Sequence, residues 1–149
     1  MLITDGTLRR NIGYNMKRAF YVIKSDLVKT LKPHGLRRLT YTALVLIVDN
    51  PGLRQRQLAQ AMDIEHPNLV KILDELQDLR LITRKPVQHD RRVHALHATK
   101  TGLAVYGQAV KSVEHHENVL FKGLGKQERN LVISILQQVA DPRHTMDKA

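Results

Sequence analysis

The stretch RQRQLAQAMDIEHPNLVKILDELQDL, residues 54–79, decides the fold. In its first part Leu58, Ala59 and Met62 fall on one face, which predicts a short helix over 54–62, and the segment 63–66 interrupts it. A second helix opens at Pro67, where a residue without an N–H loses nothing because the donors of a first turn have no intrahelical partner. Over 67–79, Leu69, Ile72, Leu73 and Leu76 recur at steps of three and four, and Asn68, Lys71, Asp74 and Glu75 stay on the other face. Two short helices joined by a tight turn make a helix-turn-helix, and the exposed N-terminal residues of the second helix are those that enter a DNA major groove.

The flanks extend this unit in both directions. Upstream, Asn50-Pro51-Gly52 is a turn that closes an apolar segment over 41–48. Before that, Leu8, Ile12, Met16, Phe20, Ile23, Leu27 and Leu31 predict one long amphipathic helix over 8–31, ended by Pro33 and Gly35. Downstream, 81–84 and 93–97 are β-compatible runs separated by a polar, basic connection that contains Pro86 and His89-Asp90-Arg91-Arg92, which reads as a two-stranded wing. Thr99 is the N-cap of a helix over about 100–122 with Leu103, Val110, Val113 and Leu120 on one side. Gly123 and Gly125 close it, and Leu131, Ile135, Leu136 and Val139 mark a final short helix. The expected fold is mainly α with a small two- or three-stranded β wing, a winged helix-turn-helix carrying long N- and C-terminal dimerisation helices. It forms one domain over 1–149, with a DNA-binding lobe at about 36–99 and dimerisation helices at about 5–32 and 100–141.

Composition narrows the partner. A formal net charge of +10 over 149 residues points to a polyanion, nucleic acid before a membrane surface. No apolar run approaches the roughly 18 residues of a membrane span, and the start MLITDGTLRR lacks the apolar core of a signal peptide, so a cytoplasmic location is expected. With no cysteine there is no disulfide, thiolate zinc site or thiol switch. Aromatics at 4% and the lack of Trp argue against a protein that stacks single-stranded bases.

In this order of elements the chain resembles the MarR family over residues 8–140. Asp90-Arg91-Arg92, followed by Thr99-Lys100-Thr101-Gly102, is similar to the family's D-x-R wing tip and the T-x-x-G that leads into the next helix. Asn50-Pro51-Gly52-Leu53 and Gln57-Leu58-Ala59 are similar to its entry into the helix-turn-helix. The sequence departs from the family at Arg80, where a Gly is usual after the recognition helix, at Pro67-Asn68 in place of a Ser/Thr-rich helix start, and at Ala98 in place of Leu. A left-handed turn at Arg80 would carry a Cβ penalty. The resemblance implies a sequence-specific double-stranded-DNA-binding regulator, a homodimer on a pseudo-palindromic operator. It also implies release by a small aromatic or phenolic ligand held between the DNA-binding lobe and the dimerisation helices.

The candidate DNA-binding residues are Arg54, Gln57, His66, Pro67, Asn68, Lys71, Arg84, Asp90, Arg91 and Arg92. Asn68 suits a bidentate contact with adenine, whereas Lys71 suits guanine or phosphate. The basic wing, which also carries Lys85, has the shape to reach a minor groove. The resemblance assigns groove entry to Arg92 and an orienting ion pair to Asp90. His34, Arg37, Arg38 and Tyr41 are candidate ligand contacts, since cations beside an amphipathic ring can hold an aromatic acid. The plainer reading of each group is a solvated helix face, a solvated charge run, or ordinary packing.

Two rival readings stand beside the regulator: an architectural DNA-binding protein without effector, and a metal-responsive regulator. His94 and His97 fall on opposite faces of a strand, and His115 and His116 lie about 100° apart on a helix, so neither pair is a local chelate and surface histidines are the simpler account. No metalloprotease, P-loop, dinucleotide or nucleophile-elbow motif occurs, and neither an enzyme nor a cofactor is expected.

Overall fold

The computed structural model describes residues 3–88 and 90–141, with backbone alone at 90–92. The elements run α1 (Ile12–Leu31), α2 (Arg38–Asp49), β1 (Leu53–Arg54), α3 (Gln55–Ala61), α4 (His66–Asp78), β2 (Ile82–Val87), β3 (Asp90–Ala98), α5 (Lys100–Leu120) and α6 (Lys126–Ala140), with 3-10 turns at Leu8–Arg10 and Lys32–His34. This is the expected mainly helical architecture with a small wing: an antiparallel sheet in the order β1-β3-β2. The chain divides into two compact units, 1–116 and 117–149.

The core of the first unit is where the helical periodicity puts it. Leu69, Ile72, Leu73 and Leu76 of α4 are buried together with Leu44 and Ile47 of α2, Leu58 of α3, and Ile82 and Leu96 of the sheet. In the second unit Glu128 accepts the Gly125 N–H at 2.7 Å at the start of α6, and Arg129 reaches Asn118 Oδ1 at 2.7 Å and the Phe121 carbonyl at 2.9 Å. No residue of α6 is buried.

Three expectations need correction. The first helix starts at Ile12 rather than residue 8, because Asn11 is extended (φ −94°, ψ 125°) and separates it from the Leu8–Arg10 turn. Asp5 holds that turn against α1 by accepting from Arg9 Nε and Tyr14 Oη, both at 2.7 Å. These two hydrogen bonds, with the charges of Arg9 and Arg18 beside them, hold the Asp5 carboxyl below its ordinary value. The second correction is in the wing. Pro86 and the backbone of Asp90, Arg91 and Arg92 belong to strands rather than to a connection, and the register shifts between Pro86 and Val87. β2 is an edge strand, where a residue without a backbone donor is tolerated. Third, Leu53–Arg54 pairs with β3, Leu53 opposite Leu96 and Arg54 opposite Ala95, so the sheet takes the three-stranded form of the expected wing and the short helix begins at Gln55 rather than Arg54.

Three helix ends share one backbone solution. After α4, Arg80 N–H bonds the Gln77 carbonyl at 2.9 Å and Leu81 N–H bonds that of Leu76 at 2.9 Å, a Schellman pair around an Arg80 at φ +58°. Asp63 (φ +50°) does the same after α3, and Gly35 (φ +69°) after the 3-10 turn that extends α1. The left-handed turn at Arg80 is therefore kept and its Cβ strain is tolerated. Arg80→Gly is expected to raise stability by about 1 kcal/mol, read as a higher denaturant midpoint at unchanged m-value; an unchanged or lower midpoint counts against strain at this position.

Candidate nucleic-acid interface

The candidate reading surface is the N-terminal half of α4. Leu69, Ile72 and Leu73 anchor one side, and this leaves His66, Pro67, Asn68 and Lys71 exposed on the other. The helix starts at His66, with Glu65 as its cap residue, so Pro67 stands one position later than expected. Arg54 and Gln57 are exposed at the entry to α3, where the Gln57 side-chain oxygen accepts the Arg54 N–H at 2.9 Å. That bond occupies one face of Gln57 in helix capping.

Strand alternation sorts the basic residues of the wing. Arg84 pairs across β3 with Leu96, which is fully buried, and so points inward; its guanidinium bonds Asp74 of α4, and its Nε is buried without a partner among the described residues. Lys85 lies opposite Ala95, which in turn lies opposite Arg54, so Lys85 and Arg54 share the outer row of the sheet and both are exposed. Arg84 thus ties the wing to α4, and among the described side chains this register leaves Lys85 and Arg54 as cations on the outer face. The side chains of Asp90, Arg91 and Arg92 lie outside the described residues.

A second arginine bridge joins the next residue of α4 to α2. Arg37 donates from Nε to both Glu75 oxygens, Oε1 at 3.1 Å and Oε2 at 2.8 Å, and from a terminal nitrogen to the same Oε2 at 2.5 Å. Consecutive acids of the recognition helix therefore hold the wing through Asp74 and the head of α2 through Glu75. Asn68→Ala and Lys71→Ala are expected to differ in kind. The first should cost roughly 1–3 kcal/mol at the cognate site and little on random DNA, and the second should weaken both. Equal losses on the two DNAs for Asn68→Ala in a fluorescence titration would remove it from base reading.

The four candidate ligand residues radiate from the corner between α1 and α2 toward different helices. His34 Nε2 lies 2.8 Å from Ser112 Oγ of α5. Arg37 faces α4, and Arg38 sits over the Phe20 ring of α1 at 6.0 Å. Tyr41 packs against the core, where burial, with Tyr106, Glu114 and Asp49 nearby, pushes its phenol above the usual value and keeps it protonated. One histidine departs from the surface placement expected of it: His116 of α5 is only 7% exposed. Among the described residues no group of three or more His, Cys, Asp or Glu is placed to hold a metal ion, and no helix is long and apolar enough to cross a membrane.

The junction behind the wing explains the T-x-x-G spacing physically. Thr99 Oγ1 accepts the Gly102 N–H at 2.9 Å and donates to the Arg80 carbonyl at 2.7 Å, while the Thr99 N–H bonds the Leu81 carbonyl at 2.9 Å. A Cβ on Gly102 would lie 1.9 Å from the same Leu81 oxygen, so only glycine admits it.

A helix-turn-helix with an exposed polar reading helix and a wing defines a winged-helix transcription regulator. Comparison with known proteins specifies the class. A model of the MarR family matches residues 34–93. The transcriptional repressor CouR bound to a 23-mer DNA duplex is 33% identical, covering 94% of this chain and 99% of that one, with a TM-score of 0.89. CouR from Rhodococcus jostii RHA1 bound to p-coumaroyl-CoA is 28% identical, covering 91% and 95%, with a TM-score of 0.82. A MarR-family regulator from Rhodococcus sp. RHA1 is 29% identical, covering 91% and 96%, with a TM-score of 0.83. The chain belongs to the MarR family of transcriptional regulators.

Proposed function

We propose that this regulator is a repressor that binds a pseudo-palindromic operator as a homodimer and leaves it on binding the coenzyme A thioester of an aromatic acid. The observation that carries the reading is the likeness, across nearly the whole chain, to a repressor known both on DNA and with p-coumaroyl-CoA. The net charge of +10 suits both polyanions. One two-fold dimer places two α4 helices in successive major grooves, with half-sites about one helical turn, roughly 10 base pairs, apart. The whole chain acts as one functional domain, in which 36–99 reads DNA. Arg54, Gln57, His66, Pro67, Asn68, Lys71 and the wing residues supply the contacts, and His34, Arg37, Arg38 and Tyr41 border the effector.

The test is an operator found by footprinting, with bound protein titrated separately with p-coumaroyl-CoA, free p-coumarate and coenzyme A. Release by the thioester at concentrations where the other two are inert supports the reading. DNA binding indifferent to all three supports an architectural protein instead.

In the wing, Arg92→Ala is expected to weaken operator binding strongly. If the guanidinium neutralises a phosphate, the slope of log affinity against log salt should fall by roughly 0.9. Asp90→Ala separates two accounts: loss of an acid strengthens binding on net charge alone, but weakens it if the carboxylate orients Arg92. Tighter binding by Asp90→Ala at two salt concentrations leaves no orienting role.

A further inference from the structure

His116 is a buried polar group outside the candidate DNA contacts, and unlike the buried Thr40 it has a ring nitrogen without a hydrogen-bond partner among the described residues. It lies on α5, 7% exposed, with its Nδ1 3.9 Å from Asp26 Oδ2 of α1. Its Nε2 is buried without a hydrogen-bond partner among the described residues. One turn earlier on α5, Ser112 is paired with His34, so the polar groups of the same helix face are satisfied up to His116. Around this seam the two helices are apolar: Leu31 and Ala109 are fully buried, and Leu27 and Val113 pack on the same core. Buried polar groups are almost always bonded, and leaving one unmade costs more than a typical bond gives. An unpaired imidazole nitrogen in an apolar seam is placed to take a hydrogen-bond partner.

We propose that His116 is a specificity-determining residue for the effector, its Nε2 accepting a hydrogen bond from a hydroxyl at the far end of the aromatic acyl group. The inference rests on the thioester reading above. The nucleotide end of such a ligand carries several negative charges and stays in water, so its acyl group enters with the ring foremost. The group that travels deepest is the one opposite the acyl chain on the ring. Asp26 Oδ2, at 3.9 Å, is beyond direct hydrogen-bond reach of Nδ1, but a carboxylate on that side favours the tautomer with its proton on Nδ1, which leaves Nε2 with a lone pair for a phenolic O–H. A site that hydrogen-bonds a ligand hydroxyl rejects the analogue lacking it, because the protein atom is then left unpaired. The seam is thereby selective for a phenolic thioester over its deoxy counterpart.

The test uses the full chain and calorimetric titration with p-coumaroyl-CoA and cinnamoyl-CoA, which differ by that hydroxyl. The wild type is expected to prefer the phenolic thioester by about tenfold or more. His116→Phe should bind the two alike, with the affinity for cinnamoyl-CoA retained and the operator affinity in the absence of thioester unchanged. His116→Gln places an amide near the position of Nε2 and should restore part of the preference. Asp26 is half-exposed, so Asp26→Asn carries little folding cost; it should narrow the preference severalfold and decides the matter if His116→Phe does not fold. A preference that survives His116→Phe, or Asp26→Asn where that variant decides, overturns the proposal while leaving the thioester reading intact. Failure of the wild type to bind either thioester overturns both.

Discussion

Gly102→Ala is expected to lower stability by about 3 kcal/mol and the melting temperature by roughly 10 °C. The added methyl would stand 1.9 Å from the Leu81 carbonyl oxygen, which is backbone and cannot swing aside as a side-chain tip could. That carbonyl also accepts the Thr99 N–H at 2.9 Å, and Leu81 is itself the residue whose N–H closes the end of the recognition helix. Moving it away from an alanine would disturb the α4 terminus, the root of β2 and the first turn of α5 together. Thermal unfolding followed by circular dichroism checks this. A melting temperature within about 2 °C of wild type, below the shift expected for 1 kcal/mol, would show that the junction yields easily. Gly107 of the same helix has no atom within 4 Å of an added Cβ, and Gly107→Ala serves as the control. It should be neutral or stabilising, since alanine is the better helix former.

Much of this junction was legible in the sequence because the chemistry is local. Thr99 three residues before Gly102 announces a capped helix, and Leu69, Ile72, Leu73 and Leu76 announce the buried side of α4. Local signals fail where the deciding partner is distant. β1 is two residues long, too short for any periodicity, and exists because β3 pairs with it. Arg84 and Lys85 are indistinguishable as a basic pair until the register sends Arg84 to the side of Leu96 and Asp74 and Lys85 to the outer row. The break at Asn11 depends on Asp5 reaching Arg9 and Tyr14, which an apolar stripe running through Leu8 conceals.

The left-handed turns and the histidines illustrate the same limit. Gly35 advertises a positive φ, but Asp63 and Arg80 adopt one because the surrounding hydrogen bonds require it. His116 stands beside His115 in sequence, yet the two face differently: His115 is exposed, and His116 is turned inward toward Asp26. An angular step of 100° separates the two residues, but only the position of α1 says which of them is buried.

Leu131→Glu combined with Ile135→Glu is expected to convert the proposed dimer into a monomer and to reduce operator affinity by roughly 10²–10⁴-fold, the effective-concentration advantage of a second tethered half-site. The two residues lie one turn apart on α6 and are 61% and 47% exposed, with Val132, Ile133, Leu136 and Val139 also exposed on that helix. A helix of 15 residues with none buried gains little from its own unit, since its polar ends are bonded but its apolar side chains face water. An apolar surface of this kind is what a two-fold interface covers, and a second copy brings an identical one. Glutamate is a good helix former, so the isolated helix should tolerate the change, whereas two charges placed in an apolar interface would not be tolerated. Sedimentation at micromolar concentration and an operator titration are read together. A monomer with intact helicity and weak binding places the interface on α6. A dimer that survives both substitutions, with operator affinity unchanged, moves the interface to other surfaces, of which the Ile12, Met16 and Phe20 stripe of α1 is the next to test.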